Sequence, residues 1–110
     1  FVKREIRRGN TYDGIIMDPP SFGRGAKGEI WKLEESFIDF VKECSKLLTP
    51  NPLFCIINGY AAGYSHIAYK QNIDMYLDSV KGETESGELL FKDRQGRFLP
   101  AGIVARWKRI

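Results

Sequence analysis

Asp13-Gly14-Ile15-Ile16-Met17-Asp18-Pro19-Pro20-Ser21-Phe22-Gly23-Arg24-Gly25-Ala26-Lys27-Gly28 is the stretch that decides the fold class. Tyr12-Asp13-Gly14 reads as a turn into a strand. Ile15-Ile16-Met17 is a short apolar run that ends at Asp18, the pattern of a strand buried on both faces. Pro19 and Pro20 forbid continuation as strand or helix. In open α/β sheets the ligand crevice lies just beyond the carboxyl ends of the strands, which is where Asp18 falls. A proline biases the residue before it toward extended backbone, so Asp18 and Pro19 are held stiffly. A carboxylate and a backbone carbonyl are thereby presented in fixed geometry. Phe22 follows on the same rim, with an aromatic face suited to stacking on a base.

Outward from this stretch, elements alternate. Residues 1–8 read as a helix, with Val2 and Ile6 inward and Gly9-Asn10 as its stop. After a glycine-rich loop, Gly23 to Gly28, comes the longest amphipathic pattern in the chain. Leu33, Phe37, Phe40, Val41, Cys44, Leu47 and Leu48 recur at helical spacing, and Thr49-Pro50-Asn51-Pro52 ends that helix. Leu53 to Ile57 reads as a second buried strand, closing at Asn58-Gly59. Ser65 is placed to cap a third helix with an inner face of Tyr69, Ile73, Tyr76, Leu77 and Val80. Thr84–Lys92 and Ile103–Ile110 read as two strands around the turn Asp93-Arg94-Gln95-Gly96. In the last strand Ile103, Ala105 and Trp107 share one face, with Arg106 and Lys108 on the other. The expected fold is α/β, a Rossmann-like sheet of mostly parallel strands with a closing antiparallel pair.

Composition narrows the function classes. The 110 residues suit one small domain or part of a larger one, and 43% apolar content is that of a globular chain. No apolar run approaches the ~20 residues that span a bilayer, and Phe1-Val2-Lys3-Arg4 has no following apolar stretch of a signal peptide. The formal charge of +3 is compatible with a nucleic-acid partner without demanding one. Cys44 and Cys55 sit inside apolar patterns, as expected of free thiols in a reducing cytoplasm. The start at Phe1, on helix-like residues, reads as a cut through an element. A half-sheet of this kind would leave one edge strand open, which predicts a missing N-terminal half or a partner chain that completes it.

Asp18-Pro19-Pro20-Ser21-Phe22 resembles the fourth motif of class I S-adenosylmethionine-dependent methyltransferases, the D/N-P-P-aromatic type. The run "DPPSFGRGAKGEIWKL", with "LFCIINGYAAGYS" and "LPAGIVARWKR" further on, is similar to bacterial ribosomal-RNA-methyltransferase-like proteins. The resemblance implies that residues 1–110 are the C-terminal part of such a catalytic domain. It implies a catalytic set of Asp18, Pro19, Pro20 and Phe22. The Asp18 carboxylate and Pro19 carbonyl would accept hydrogen bonds from a target nitrogen while Phe22 stacks on an extruded base. Ser21, Arg24, Lys27, Asn58 and Tyr60 would bind substrate. The implied cofactor is S-adenosylmethionine, and the implied partner is nucleic acid, in particular RNA.

The departures from the family pattern matter equally. Relatives that methylate carbon 5 of cytosine carry a Cys nucleophile just after the second strand, where this chain reads Asn58-Gly59-Tyr60-Ala61-Ala62. That points to a nitrogen target. The glycine-rich motif that holds the methionine part of the cofactor, and the acid that binds its ribose, are expected upstream of Phe1.

Three other readings are weaker. Gly23-Arg24-Gly25-Ala26-Lys27-Gly28 spells G-x-G-x-x-G, but a dinucleotide fingerprint must follow a strand directly, open a helix and meet an acid about 20 residues on. Two prolines intervene and Leu48 stands at the acid's place, so a nicotinamide site is rejected. The glycines suit a lid over the site, with Arg24 and Lys27 available to phosphates, or an ordinary solvated loop. Trp31 is expected to anchor the start of the second helix. His66 has no Cys, Asp or Glu at ligand spacing, so no metal site is expected. Arg106, Lys108 and Arg109 read as a solvated strand face, with contact to RNA as the alternative. The alternative to an enzyme is a non-catalytic nucleic-acid-binding or assembly module with the same fold.

Overall fold

In a computed structural model, the backbone is described for residues 1–20, 22–24, 30–60 and 64–110, and the side chains for residues 1–20, 36–60 and 64–110. The order is α1 (Val2–Arg8), β1 (Gly14–Met17), β2 (Phe22–Arg24), β3 (Ile30–Lys32), α2 (Leu33–Ser45), β4 (Phe54–Gly59), α3 (His66–Leu77), β5 (Gly82–Lys92) and β6 (Phe98–Arg109). Four strands form a mixed sheet in the order β1-β4-β6-β5. β1 and β4 are parallel, while β6 runs antiparallel to both β4 and β5. The α/β class stands, with the closing antiparallel pair at the far edge of the sheet.

Local chemistry explains most boundaries. Gly9 ends α1 in the left-handed conformation at φ 73°, and its N–H bonds back to the helix carbonyls. Ser65 caps α3, its hydroxyl accepting the Ile67 N–H at 3.1 Å. Asp93 closes the β5–β6 turn by accepting N–H bonds from Gln95 and Arg97. α2 stops at Ser45, before the predicted Leu48. There Leu48 instead bridges to Tyr12, with Tyr12 N–H donating to Leu47 and Thr49 N–H donating to Tyr12. This bridge and a bond from Thr49 Oγ1 to Asp13 at 2.9 Å pin the entry of β1 to the exit of α2.

The core lies on one face of the sheet. Met17, Cys55, Ile57, Ala105 and Trp107 point to that face and meet Phe37, Val41 and Cys44 of α2 and Tyr69, Ile73 and Leu77 of α3. Ile57, Tyr69 and Ala105 are fully inaccessible. The expected inner face of α3 is observed, and that of α2 from Phe37 on, with Leu33 outside the described side chains and Tyr76, Val80, Phe40 and Leu48 at the margin. In α1 Val2 packs on the core, but the buried residue is Glu5, not Ile6. The expectation that β1 and β4 are buried on both faces is not met. Both helices pack on the same side, so burial alternates along β4, and Ile16 is 66% exposed. The open side carries Phe54 and Ile56 and a ladder of ion pairs, Lys108–Glu83 at 2.9 Å and Arg106–Glu85 at 2.6 Å. A hollow of about 410 Å³ lies over it. Exposed pairs of this kind add little to stability, so the covered face holds the sheet together.

Two other expectations change. The stretch drawn as a loop from Gly23 begins as strand, since Phe22–Arg24 pairs antiparallel with Ile30–Lys32. Trp31 lies in β3, two residues before α2 begins, and its side chain falls outside the described residues. β5 begins two residues earlier than expected, at Gly82, and β6 five residues earlier, at Phe98, because Phe98–Pro100 pair with Leu90–Lys92 beyond the body of the sheet after a register shift between Glu88 and Leu90.

One buried charge was not anticipated. Glu5 is 4% exposed, and its carboxylate accepts bonds from Tyr12 Oη at 2.6 Å, Asn10 Nδ2 at 2.8 Å and Arg8 at 3.2 Å. These donors, the Tyr12 hydroxyl foremost, hold its pKa below the ordinary value of 4.5. The ionised form stabilises the fold at neutral pH, and that contribution is lost as pH falls through the lowered pKa. In urea titrations the stability gap between the native chain and Glu5→Gln should therefore be widest above pH 4.5 and close at lower pH. Burial pushes the thiols of Cys44 and Cys55 up to about 11 and about 12. Neither should be alkylated by iodoacetamide at pH 8 in the native protein, and both should react in urea, as read by mass spectrometry.

Candidate active site

The parallel pairing of β1 with β4 ends at Met17 beside Ile57. The next residues, Asp18 and Asn58, stand at the carboxyl edge of the sheet. Asn58 Nδ2 donates to Asp18 Oδ1 at 2.8 Å. The Asp18 carboxylate is solvent-exposed, and its second oxygen has no protein partner among the described residues. Pro19 is buried and Pro20 exposed, both with trans peptide bonds. No backbone bond among the described residues uses the Pro19 carbonyl.

This arrangement has a definite chemical bias. Asn58 is a neutral donor, so it orients the carboxylate without cancelling its charge. What remains is an acceptor oxygen on a rigid turn, one residue from a carbonyl. Two acceptors suit an N–H-bearing ligand group and repel a phosphate.

The floor beneath the rim is aromatic. Tyr69 stacks on Phe37 with centroids 4.8 Å apart, and Tyr64 meets Phe37 edge-on at 5.0 Å. Tyr69 is fully buried, and its hydroxyl finds no hydrogen bond among the described residues. Burial raises its pKa above the usual phenol value, with smaller contributions from Tyr64 and Asp18. The hydroxyl lies against Gly59, where any Cβ would come within 2.3 Å of it. Glycine is thus required sterically at the end of β4. Gly102 has a parallel role on β6. Its φ of +119° suits glycine, and a Cβ there would meet the Gly59 carbonyl at 2.6 Å and the Tyr60 ring at 2.9 Å.

Of the residues expected at the site, Asp18, Pro19, Pro20, Asn58 and Tyr60 fall on this one rim. Tyr60 is 70% exposed, its ring lying over Gly102. Phe22 and Arg24 lie in β2, their side chains outside the described residues. Ser21 and Lys27 lie outside the described residues altogether. The glycine run does not open a helix at Gly23, since Gly23 and Arg24 are strand and α2 begins at Leu33. His66 Nδ1 lies 2.8 Å from Ser86 Oγ, tying α3 to β5. No cluster of three metal-binding side chains occurs among the described residues. Cys55 is a core thiol. Gly59, Gly102 and the buried Tyr69 hydroxyl were missed in the sequence, because their importance depends on which strand and helix lie opposite.

Comparison with known proteins gives a consistent fold. No family model matches the chain, and no curated protein matches it. Among solved structures it resembles the SAM-dependent methyltransferase from Agrobacterium tumefaciens, with 32% identity and a TM-score of 0.86 over 98% of this chain. It also superposes on SMU.776, described as a methyltransferase complexed with SAH, at 22% identity and a TM-score of 0.61 over 94% of the chain. A Streptococcus mutans protein described as a SAM-dependent methyltransferase matches at 20% identity and a TM-score of 0.65 over 97%. The chain spans 36% of the Agrobacterium protein and 28% of each of the other two. Its fold is therefore that of part of a SAM-dependent methyltransferase.

The contact between Tyr69 and Gly59 makes a double-mutant prediction. Tyr69→Phe removes an unpartnered buried hydroxyl and should be neutral or stabilise by about 1 kcal/mol. Gly59→Ala should destabilise by about 1–3 kcal/mol, through overpacking against that hydroxyl. In the Tyr69→Phe background most of the loss should return, as read by chemical denaturation. Additive effects would mean that the hydroxyl is not what excludes a side chain at residue 59.

Proposed function

We propose that this chain supplies the acceptor-binding side of an S-adenosylmethionine-dependent methyltransferase acting on a base nitrogen, in RNA and most specifically ribosomal RNA. The observation that carries the reading is the Asp18–Asn58 pair at the carboxyl ends of two parallel strands, followed by a double proline. The fold similarity to SAM-dependent methyltransferases supports it, as does the resemblance of Asp18-Pro19-Pro20-Ser21-Phe22 to their fourth motif.

The free oxygen of Asp18 and the carbonyl of Pro19 accept the two hydrogens of an amino group. That turns the nitrogen lone pair away from both acceptors and toward the methyl donor. Asn58 holds the carboxylate in place, and the prolines keep both acceptors from swinging. Phe22 stacks on the base, with Tyr60 on the rim and Ser21, Arg24 and Lys27 as further substrate contacts. Positioning of this kind lowers the barrier without any covalent role for the protein.

Asp18 and Pro19 fit a place beside the reactive methyl. The described residues include no glycine-rich turn opening a helix after a strand, so they do not fit the cofactor's methionine and ribose. The cofactor's contribution is a methyl group already activated on a sulfonium. The rest of its site comes from outside residues 1–110, in the same polypeptide or in a partner chain. Cys55, protonated and buried in the core, offers no nucleophile for carbon methylation.

Calorimetric titration with S-adenosylhomocysteine tests the cofactor assignment. The complete gene product should bind it tightly, and the 110-residue chain alone should not. Methyl transfer to ribosomal RNA by the complete product should fall roughly 100-fold or more in Asp18→Ala, with cofactor binding retained. Full transfer by Asp18→Ala would remove Asp18 from the chemistry. Absence of cofactor binding by the complete product would favour a non-catalytic nucleic-acid module with this fold.

A further inference from the structure

The β5–β6 hairpin reaches past the body of the sheet. β4 ends at Gly59, opposite Ile103, yet β6 begins five residues earlier at Phe98. At about 3.3 Å per residue the ribbon overhangs by roughly 16 Å. Because β4 and β6 are antiparallel, it overhangs the same edge that presents Asp18, Asn58 and Tyr60. Every residue from Phe91 to Pro100 is exposed.

The composition of this ribbon is unusual for a solvated turn. Phe91 and Phe98 are 68% and 62% exposed. The pairing of Phe91 with Leu99 and of Lys92 with Phe98 puts the two rings on opposite faces. Lys92 Nζ lies 5.9 Å from the Phe98 ring centroid. The acid at the turn, Asp93, is already engaged by the N–H groups of Gln95 and Arg97 and by Arg97 Nε at 2.6 Å. Lys92 and Arg94 have no acidic partner among the described residues. Exposed rings interleaved with uncompensated cations match the alternation of base and phosphate along a single strand. An apolar protein partner would instead have to bury those cations.

We infer that this hairpin is a binding platform for single-stranded nucleic acid, holding the nucleotides that flank the base presented to Asp18. Phe91 or Phe98 stacks on a base, and Lys92 and Arg94 contact phosphates. The inference rests on the base-methylation reading for its substrate but uses none of that site's residues.

Fluorescence anisotropy of the complete gene product with a labelled single-stranded RNA of about ten nucleotides tests it, that length lying within the site sizes of such platforms. The Phe91→Ala/Phe98→Ala double variant should bind roughly ten-fold or more weakly, with an unchanged salt slope. Lys92→Ala/Arg94→Ala should weaken binding and reduce the salt slope by about one to two phosphate contacts. Circular dichroism and an unchanged affinity for S-adenosylhomocysteine would show that both variants are folded. Native-level RNA binding by both double variants overturns the inference while leaving the methylation reading intact. Hairpin-dependent RNA binding by a protein that binds no cofactor sustains the hairpin as a single-strand platform and removes the methylation reading together with the presentation of a base to Asp18. A change in oligomeric state by light scattering, with RNA binding unaltered, makes the hairpin a contact between copies and overturns the inference.

Discussion

The in-register parallel pairing of β1 with β4 governs the rest of the molecule. It sets Met17 beside Ile57 and so brings Asp18 to Asn58, 40 residues away in sequence. A slip of β1 by one residue against β4 would turn Met17 out of the core and carry Asp18 away from its partner. The register is held by burial, since Ile57 and Ala105 are fully enclosed and Cys55 nearly so. Site geometry and core packing are thus consequences of the same alignment.

The aromatic floor links the two. Tyr69 belongs to the core through its stack on Phe37 and to the rim through its contact with Gly59. Its hydroxyl is buried without a partner among the described residues, a destabilising feature directly beneath the Asp18–Asn58 pair. Glycine at residue 59 lets the helix approach that closely.

Among the described residues the sheet is covered on one side only. α2 and α3 share a face, and the opposite face carries Ile16, Phe54 and Ile56 beside two exposed ion pairs. The charged ladder suits water, whereas the apolar residues toward β1 do not. This division runs across the sheet from the edge strand β1 to the hairpin strands. The similar methyltransferases are about three times as long as this chain.

Much of this was legible without coordinates, because it depends on neighbours in sequence. The strand ending at Asp18 follows from an apolar run stopped by two prolines. The inner faces of α2 and α3 follow from helical spacing, the start of α3 from Ser65, and the last turn from Asp93 and Gly96. Glu5 escaped notice because a carboxylate on a short charged helix normally faces water, and two of its three donors, Asn10 and Tyr12, are brought to it by the turn at Gly9. The second face of β1 was misread because an apolar run does not say which side its helices will choose.

The sequence by itself determined the order of the main helices and strands and that two prolines stop β1 just beyond Asp18, but not β2 and β3, which lie in a stretch that read as loop. Tertiary structure alone decided that Asn58 orients Asp18, that Tyr69 makes Gly59 obligatory, and that the last hairpin overhangs the rim. The physical reason is range. Periodicity, caps and proline constraints act within a few residues of backbone, whereas contacts between strands depend on a register that the packed core selects for the whole sheet at once.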